Sequence, residues 1–157
     1  MVGAIMGQFI NDTLQKQIER GEVFYRQIGK GAQPPGSDYE FIVNTDSNEL
    51  VLFLNVVSYT ELFTFEFKEG VSTTSDGTQR VPDNMKMSST NTIGATIYED
   101  PTGVAGGTQF FPASITPTIP DRAWPFSMGS GVVLGANEKY YFHLNRNLYF
   151  YYCFRSG

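Results

Sequence analysis

The phrase Gly77-Thr78-Gln79-Arg80-Val81-Pro82 returns thirty positions later as Gly107-Thr108-Gln109-Phe110-Phe111-Pro112. Each copy follows a short apolar run that ends in acidic residues. Phe65-Glu66-Phe67-Lys68-Glu69-Gly70 precedes the first and Ile97-Tyr98-Glu99-Asp100-Pro101 the second. Two segments that end alike, turn through glycine and leave through proline predict paired β units in one sheet system. Such a chain is organised as a scaffold for surface contact.

The rest of the chain reads the same way. Residues 22–28 (EVFYRQI) form a first predicted strand, and Pro34-Pro35-Gly36 then mark a loop. Residues 39–44 form a second strand and 45–48 a turn. Residues 50–57 (LVLFLNVV) are almost continuously apolar, which predicts a central strand covered on both faces. Residues 61–68 (ELFTFEFK) alternate, with Phe63, Phe65 and Phe67 on one side and Thr64 and Glu66 on the other. Residues 92–99 form another strand. Residues 108–116 continue as an edge or bent strand, because Pro112 cannot donate to a ladder. Residues 139–144 (KYYFHL) and 148–154 (LYFYYCF) close the chain as a hairpin turning at 145–147. The last of these is aromatic on both faces, so it belongs mid-sheet or against another subunit.

This pattern predicts an all-β fold, a β-sandwich or jelly roll of about eight to ten short antiparallel strands. Residues 22–157 form one domain, as expected for a chain of 157 residues. Residues 1–21 differ. Asn11, Asp12 and Thr13 can cap a short helix, Ile10, Leu14 and Ile18 share one face, and Gly21 ends the pattern. The segment is a short helix on its own domain or an arm that lays its apolar stripe on a neighbour.

Composition narrows the functions. With net charge −5 and no basic stripe, nucleic acid is a poor partner, since phosphate contacts supply most of that affinity. No apolar run is long enough for a membrane helix. The first residues lack the basic and apolar regions of a signal peptide. One cysteine, Cys153, excludes an internal disulfide and reads as a buried, inert thiol. Aromatic residues make up 15% of the chain, nearly matching the charged 17%, and such residues dominate interface energetics.

Catalytic hardware is sparse. His143 is the only histidine and sits between Phe142 and Leu144 in a predicted strand, where a packed or surface residue is expected rather than a base. No G-x-S-x-G elbow is present, and one His with one Cys cannot close a usual structural zinc site. No catalytic residue, metal site or cofactor is therefore predicted. Among carboxylates, Glu61, Glu66, Glu69, Glu99 and Asp100 could supply a hydrolytic pair. Tyr39, Tyr59, Trp124, Tyr140 and Tyr149 could stack on sugars or equally serve a protein interface.

The stretch Phe-Glu-Phe-Lys-Glu-Gly-Val (65–71), Asp-Gly-Thr-Gln (76–79), a polar Asn/Ser-rich loop, Ala-Thr-Ile-Tyr-Glu-Asp-Pro (95–101) and Gly-Gly-Thr-Gln (106–109) resembles a group of small tailed-phage proteins. These are head decoration or cement proteins with a jelly-roll-like fold. The closing Lys139-Tyr140-Tyr141-Phe142 strand, Asn-containing turn and aromatic final strand are similar too. The resemblance implies a virion structural protein, made in the host cytoplasm, that binds the capsid exterior and clamps neighbouring major capsid protein subunits, as a homo-oligomer. For such a role the residues themselves offer the partner contacts: the apolar stripe of the arm with Phe9, Ile10, Leu14 and Ile18, and the aromatic Trp124, Tyr149 and Tyr151. A phage tail accessory or glycan-binding sandwich is the alternative.

Overall fold

The computed structural model describes residues 15–28, 38–58, 64–110, 124–127, 131–145 and 148–156. A short helix, α1 (residues 15–20), precedes β1 (Val23–Ile28), β2 (Asp38–Thr45), β3 (Leu50–Ser58) and β4 (Thr64–Ser72). There follow β5 (Thr78–Arg80), β6 (Asp83–Asn84), β7 (Ala95–Glu99), β8 (Ala105–Gln109), β9 (Trp124–Ser127), β10 (Val132–Leu134), β11 (Lys139–Asn145) and β12 (Leu148–Ser156).

Two antiparallel sheets result. Sheet I runs β10-β3-β12-β1-β6, with β9 also paired to β3. Sheet II runs β5-β7-β2-β11-β4-β8. The apolar run of β3 has β12 on one side and β9 and β10 on the other, the interior place its composition demands. The aromatic β12 lies mid-sheet between β3 and β1. Of the edge or bent strand expected over residues 108–116, only its start is described: β8 borders sheet II, and residues 111–116 with Pro112 lie outside the described residues.

Phe24, Leu50, Leu52 and Leu134 of sheet I share one buried cluster with Phe41, Val43, Phe65, Phe67, Ile97, Phe142 and Leu144 of sheet II. This is a β-sandwich core. Its centre follows from register: Phe41, Phe142 and Phe67 are directly opposed on β2, β11 and β4. Their rings stack in series, each pair of centroids 4.5 Å apart. Each such ring contributes about 1.5–3 kcal/mol by leaving water, so this triple stack dominates the local energetics.

The helix ends as its sequence requires. Gln15 to Arg20 are good helix formers, and Gly21 follows at φ 73°. The Gly21 N–H bonds Ile18 O at 2.9 Å and the Glu22 N–H bonds Gln17 O at 3.0 Å, the paired closure of a Schellman motif. Asn91 and Asn84 donate to the carbonyl of Gly21, and Asn91 also to that of Arg20, so this end of α1 is tied to the β6–β7 loop.

The repeated phrase has a geometric explanation. The pairs Lys68↔Gln109, Ser72↔Ala105, Ser75↔Thr102, Thr78↔Glu99 and Arg80↔Ile97 keep one antiparallel register. Yet β4·β8 lies at one edge of sheet II and β5·β7 at the other. A single two-stranded ribbon therefore leaves the sheet at one edge, passes over its outer face and rejoins at the opposite edge. The Ser75↔Thr102 bridge marks the crossing. An approximate two-fold axis relates the halves: β4 matches β7 and β8 matches β5 at an offset of thirty residues. Gly70 and Asp100 match at φ 71° and 58°, and Gly77 and Gly107 at 98° and 85°.

Gly77 and Gly107 stand where the ribbon rejoins the sheet. A Cβ on Gly77 would lie 2.1 Å from Glu99 O, and one on Gly107 would lie 2.9 Å from Glu69 O. Backbone cannot step aside there. Gly77→Ala is expected to lower stability by roughly 2 kcal/mol or more, from a left-handed backbone and a main-chain clash together. Gly94→Ala, with open space around it, should change stability by about 0.5 kcal/mol at most. Urea denaturation of the two variants checks the contrast.

Candidate functional site

Alternation along β2, β4, β7 and β11 puts half of each strand's side chains on the outer face of sheet II, away from sheet I. One row crosses all six strands in register: Gln79, Tyr98, Ile42, Tyr141, Lys68 and Gln109. Its two ends are exposed glutamines, the repeated residue of the sequence phrase. Its middle is dry. Ile42 is fully buried and Tyr141 nearly so, packed with Val71 and flanked by Tyr98 and Val104. Val71 and Val104 belong to the crossing ribbon, which therefore acts as a strap over the face.

On one side of that row lies a polar cluster built from β2, β4 and β11. His143 Nδ1 is 3.6 Å from Glu66 Oε2, and Nε2 is 3.4 Å from Asp38 Oδ2. Glu66 also pairs with Lys68 at 2.6 Å, and Lys68 Nζ lies 5.9 Å from the Tyr141 ring centre. The Tyr141 hydroxyl donates to Glu40 Oε1 at 2.6 Å. Burial first, then that bond to Glu40, pushes the hydroxyl well above the ordinary phenol range. The His143 ring is stacked beside Tyr141, with centroids 6.2 Å apart.

Chemically this cluster is held by the Glu66–Lys68 ion pair and the Tyr141–Glu40 hydrogen bond. Both ring nitrogens of His143 lie near carboxylate oxygens, but Nε2 has no hydrogen-bond partner among the described residues and Nδ1 stands beyond hydrogen-bond reach of Glu66, so the ring is packed beside Tyr141 rather than bonded to the carboxylates. Among the described residues no group of three His, Cys, Asp or Glu side chains is arranged to hold a metal ion.

The other side of the row holds a latch. Lys139 Nζ lies 2.6 Å from Asp76 Oδ1, Asn44 Nδ2 donates to Asp76 Oδ2 at 3.2 Å, and Thr73 donates to Oδ1. Burial pushes the Asp76 carboxyl up, but the bonds from Lys139, Thr73 and Asn44 outweigh it and hold the group below the ordinary carboxylate range.

The carboxylates expected to form a hydrolytic pair are dispersed. Glu66 faces outward with His143. Glu99 is buried on the core side and pairs with Arg80 at 2.8 Å. Glu69 accepts from the Tyr140 hydroxyl. Asp100 occupies the left-handed turn after β7, and Glu61 lies outside the described residues. Alternation separates Glu66 from Glu99 across the sheet. Tyr39 and Tyr140, expected as exposed sugar-stacking rings, are buried at 8% and 3% exposure, because the core face of sheet II needs them.

The expected partner contacts divide by place. Ile18 is half-buried on α1, while Phe9, Ile10 and Leu14 lie outside the described residues, as does Tyr59. Trp124 opens β9 opposite Ser58, and Tyr149 and Tyr151 sit on β12 opposite Val57 and Asn55. The residues that sequence reasoning missed are Asp38, Glu40, Lys68, Asp76, Lys139 and Tyr141. Their signal was alternation: Asp38 with Glu40, Glu66 with Lys68, and Tyr141 with His143 are each two apart. Only strand pairing reveals that they meet.

Exposed apolar side chains concentrate after β5. Val81 is 73% exposed and Met87 is fully exposed, with Met85 between them at 45%. The segment is held, since β6 pairs with β1, and Asn84 Oδ1 accepts from the Lys86 N–H. Comparison with family models, curated proteins and solved structures returns no match.

Tyr140 supplies a measurable consequence of the buried network. Its hydroxyl accepts from the Gly135 N–H at 2.6 Å and donates to Glu69 at 3.2 Å. Burial above all pushes it up to about 12, with Glu69 adding to the rise and the Gly135 bond opposing it. A raised folded-state value means stability that is complete below the ordinary phenol range near 10 and declines as pH rises toward about 12. Tyr140→Phe should flatten the alkaline decline, with Tyr141 accounting for the residue. It should also cost about 1–2 kcal/mol at pH 7, because the part-buried Gly135 N–H loses its acceptor. Thermal melts from pH 7 to 11.5 test both.

Proposed function

We propose that the chain is a non-enzymatic structural protein of a phage head, binding the capsid exterior and bracing neighbouring major capsid protein subunits. The observation that carries this reading is the apolar segment Val81, Met85 and Met87, exposed yet tied to the sandwich by β6 and by Asn84. Exposed methionines on a fixed backbone suit a protein partner, since an unbranched thioether adapts to irregular surfaces. The strapped, cross-braced sheet supports the same role, because a clamp must resist deformation. The motif resemblance of residues 65–71, 76–79, 95–101 and 106–109 supplies the choice of capsid as partner.

A specific contact buries about 1,200–2,000 Å² in all, so this segment is the centre of a larger footprint. Binding only the assembled shell stabilises it by mass action. Phage tail and glycan partners are outcomes of the same test.

Purified protein should co-sediment with capsids of its phage at saturable stoichiometry. Met87→Glu, at a fully exposed position, should fold normally and bind at least about tenfold more weakly, as expected for a charge placed at a contact centre. Equal binding by Met87→Glu and Val81→Glu would remove this segment from the interface. Failure of the wild type to bind capsids, with binding to a glycan or a tail component instead, would overturn the reading itself.

A further inference from the structure

The strap over sheet II is secured unevenly. At one end Asp76 receives bonds from Lys139 on β11, from Asn44 on β2 and from Thr73 within the strap, and Lys139 Nζ also donates to Thr73 Oγ1 at 3.1 Å. The position related to Asp76 by the thirty-residue offset is Gly106, which has no side chain to bond with. Between the ends the two ribbon strands hold each other through Thr74 N–H and Ser75 N–H to Thr102 O and Thr102 N–H to Ser75 O. These bonds join ribbon to ribbon. They do not join ribbon to sheet.

We propose that the strap is a releasable cover, latched to sheet II at one corner by Asp76, whose lifting exposes Ile42 and Tyr141 while the sandwich core stays folded. What lies beneath is apolar and dry, whereas the core stack of Phe41, Phe142 and Phe67 is on the opposite face and does not depend on the strap. The two clusters are separate, so local opening has a physical basis.

Lys139 is the charged group facing Asp76, and Asn44 and Thr73 face it with neutral dipoles. Protonating the carboxylate removes the ion pair with Lys139. Because the folded-state carboxyl is held low, the latch is complete above the ordinary carboxylate range and is lost as pH falls through the lowered value. The device is thus acid-sensitive. A neutral amide at position 76 should weaken it at any pH, leaving only the bond from Lys139 to Thr73.

Amide hydrogen exchange followed by NMR tests this on the full chain. At pH 7, Asp76→Asn should lower protection of the Thr74, Ser75 and Thr102 amides by about tenfold or more, the scale of a lost charged hydrogen bond, because a strap lifted off its apolar bed leaves this isolated bridge open to water on both sides. Protection along β2·β11 should stay within about twofold. Lys139→Met, which leaves Asp76 in place, should give the same pattern and serves if the first variant folds poorly. In the wild type the strap-to-core protection ratio should hold from pH 7 to 5 and fall only below about pH 4. Unchanged strap protection in both variants, or strap and core losing protection by the same factor, would overturn the proposal.

Discussion

One antiparallel register, kept from Lys68↔Gln109 through Ser75↔Thr102 to Arg80↔Ile97, governs most of this molecule. A flat hairpin with that register would pair once and end. Here each strand begins inside sheet II and finishes at its far edge, so the ribbon has to leave the plane and return. Leaving and returning call for left-handed backbone at two points on each strand, and Gly70, Gly77, Asp100 and Gly107 supply them. The same path fixes both borders of the sheet. β5 has three residues, and β8 carries glycines at φ 68° and 85°, so neither offers a long flat edge to a stray strand.

The strap also resolves a conflict in the composition of β2 and β11. Each has large apolar residues at consecutive positions, Phe41-Ile42-Val43 and Tyr140-Tyr141-Phe142, which point to both faces of the sheet. Sheet I covers one face. Ile42 and Tyr141 on the other would sit in water without the ribbon, and they are buried because Val71 and Val104 are brought over them. The stacked core and the strapped cluster are therefore two small hydrophobic layers sharing one pair of central strands.

Much of this was legible residue by residue. The alternation in ELFTFEFK placed Phe65 and Phe67 inward and Glu66 outward, as found. The run LVLFLNVV demanded an interior strand, and Gly21 ended a helix. The repeat correctly implied paired units in one sheet system. Four short strands, β5, β6, β9 and β10, escaped notice because two to four residues carry no periodicity, and β5 and β6 are polar throughout. The polar stretches 70–77 and 100–107 carry no strand signal of their own, since nothing in Ser, Thr and Gly announces that they bond each other above a sheet. His143 read as a packed or surface histidine, and it is half-buried beside Tyr141, but its neighbours Asp38 and Glu66 are over seventy residues away in sequence and come near it only through pairing.

The approximate symmetry makes the differences between the two halves informative. The axis passes through the Ile42↔Tyr141 pair, so Asn44 and Lys139 on one side correspond to His143 and Glu40 on the other. Backbone geometry matches at these corners, whereas the side chains diverge. One corner gathers Asp76, Lys139 and Asn44 into a bond between strap and sheet. The other has Gly106 where the first has Asp76, and its side chains bond within the sheet, Glu40 accepting from Tyr141 and Glu66 pairing with Lys68. A repeated frame needs the same glycines and the same alternating strands at both ends, which explains why those features recur at thirty residues. It needs a latch at only one end to hold the strap. The ribbon is paired into the sheet at both edges, so a side-chain latch at one corner alone leaves the span between them with a stability of its own.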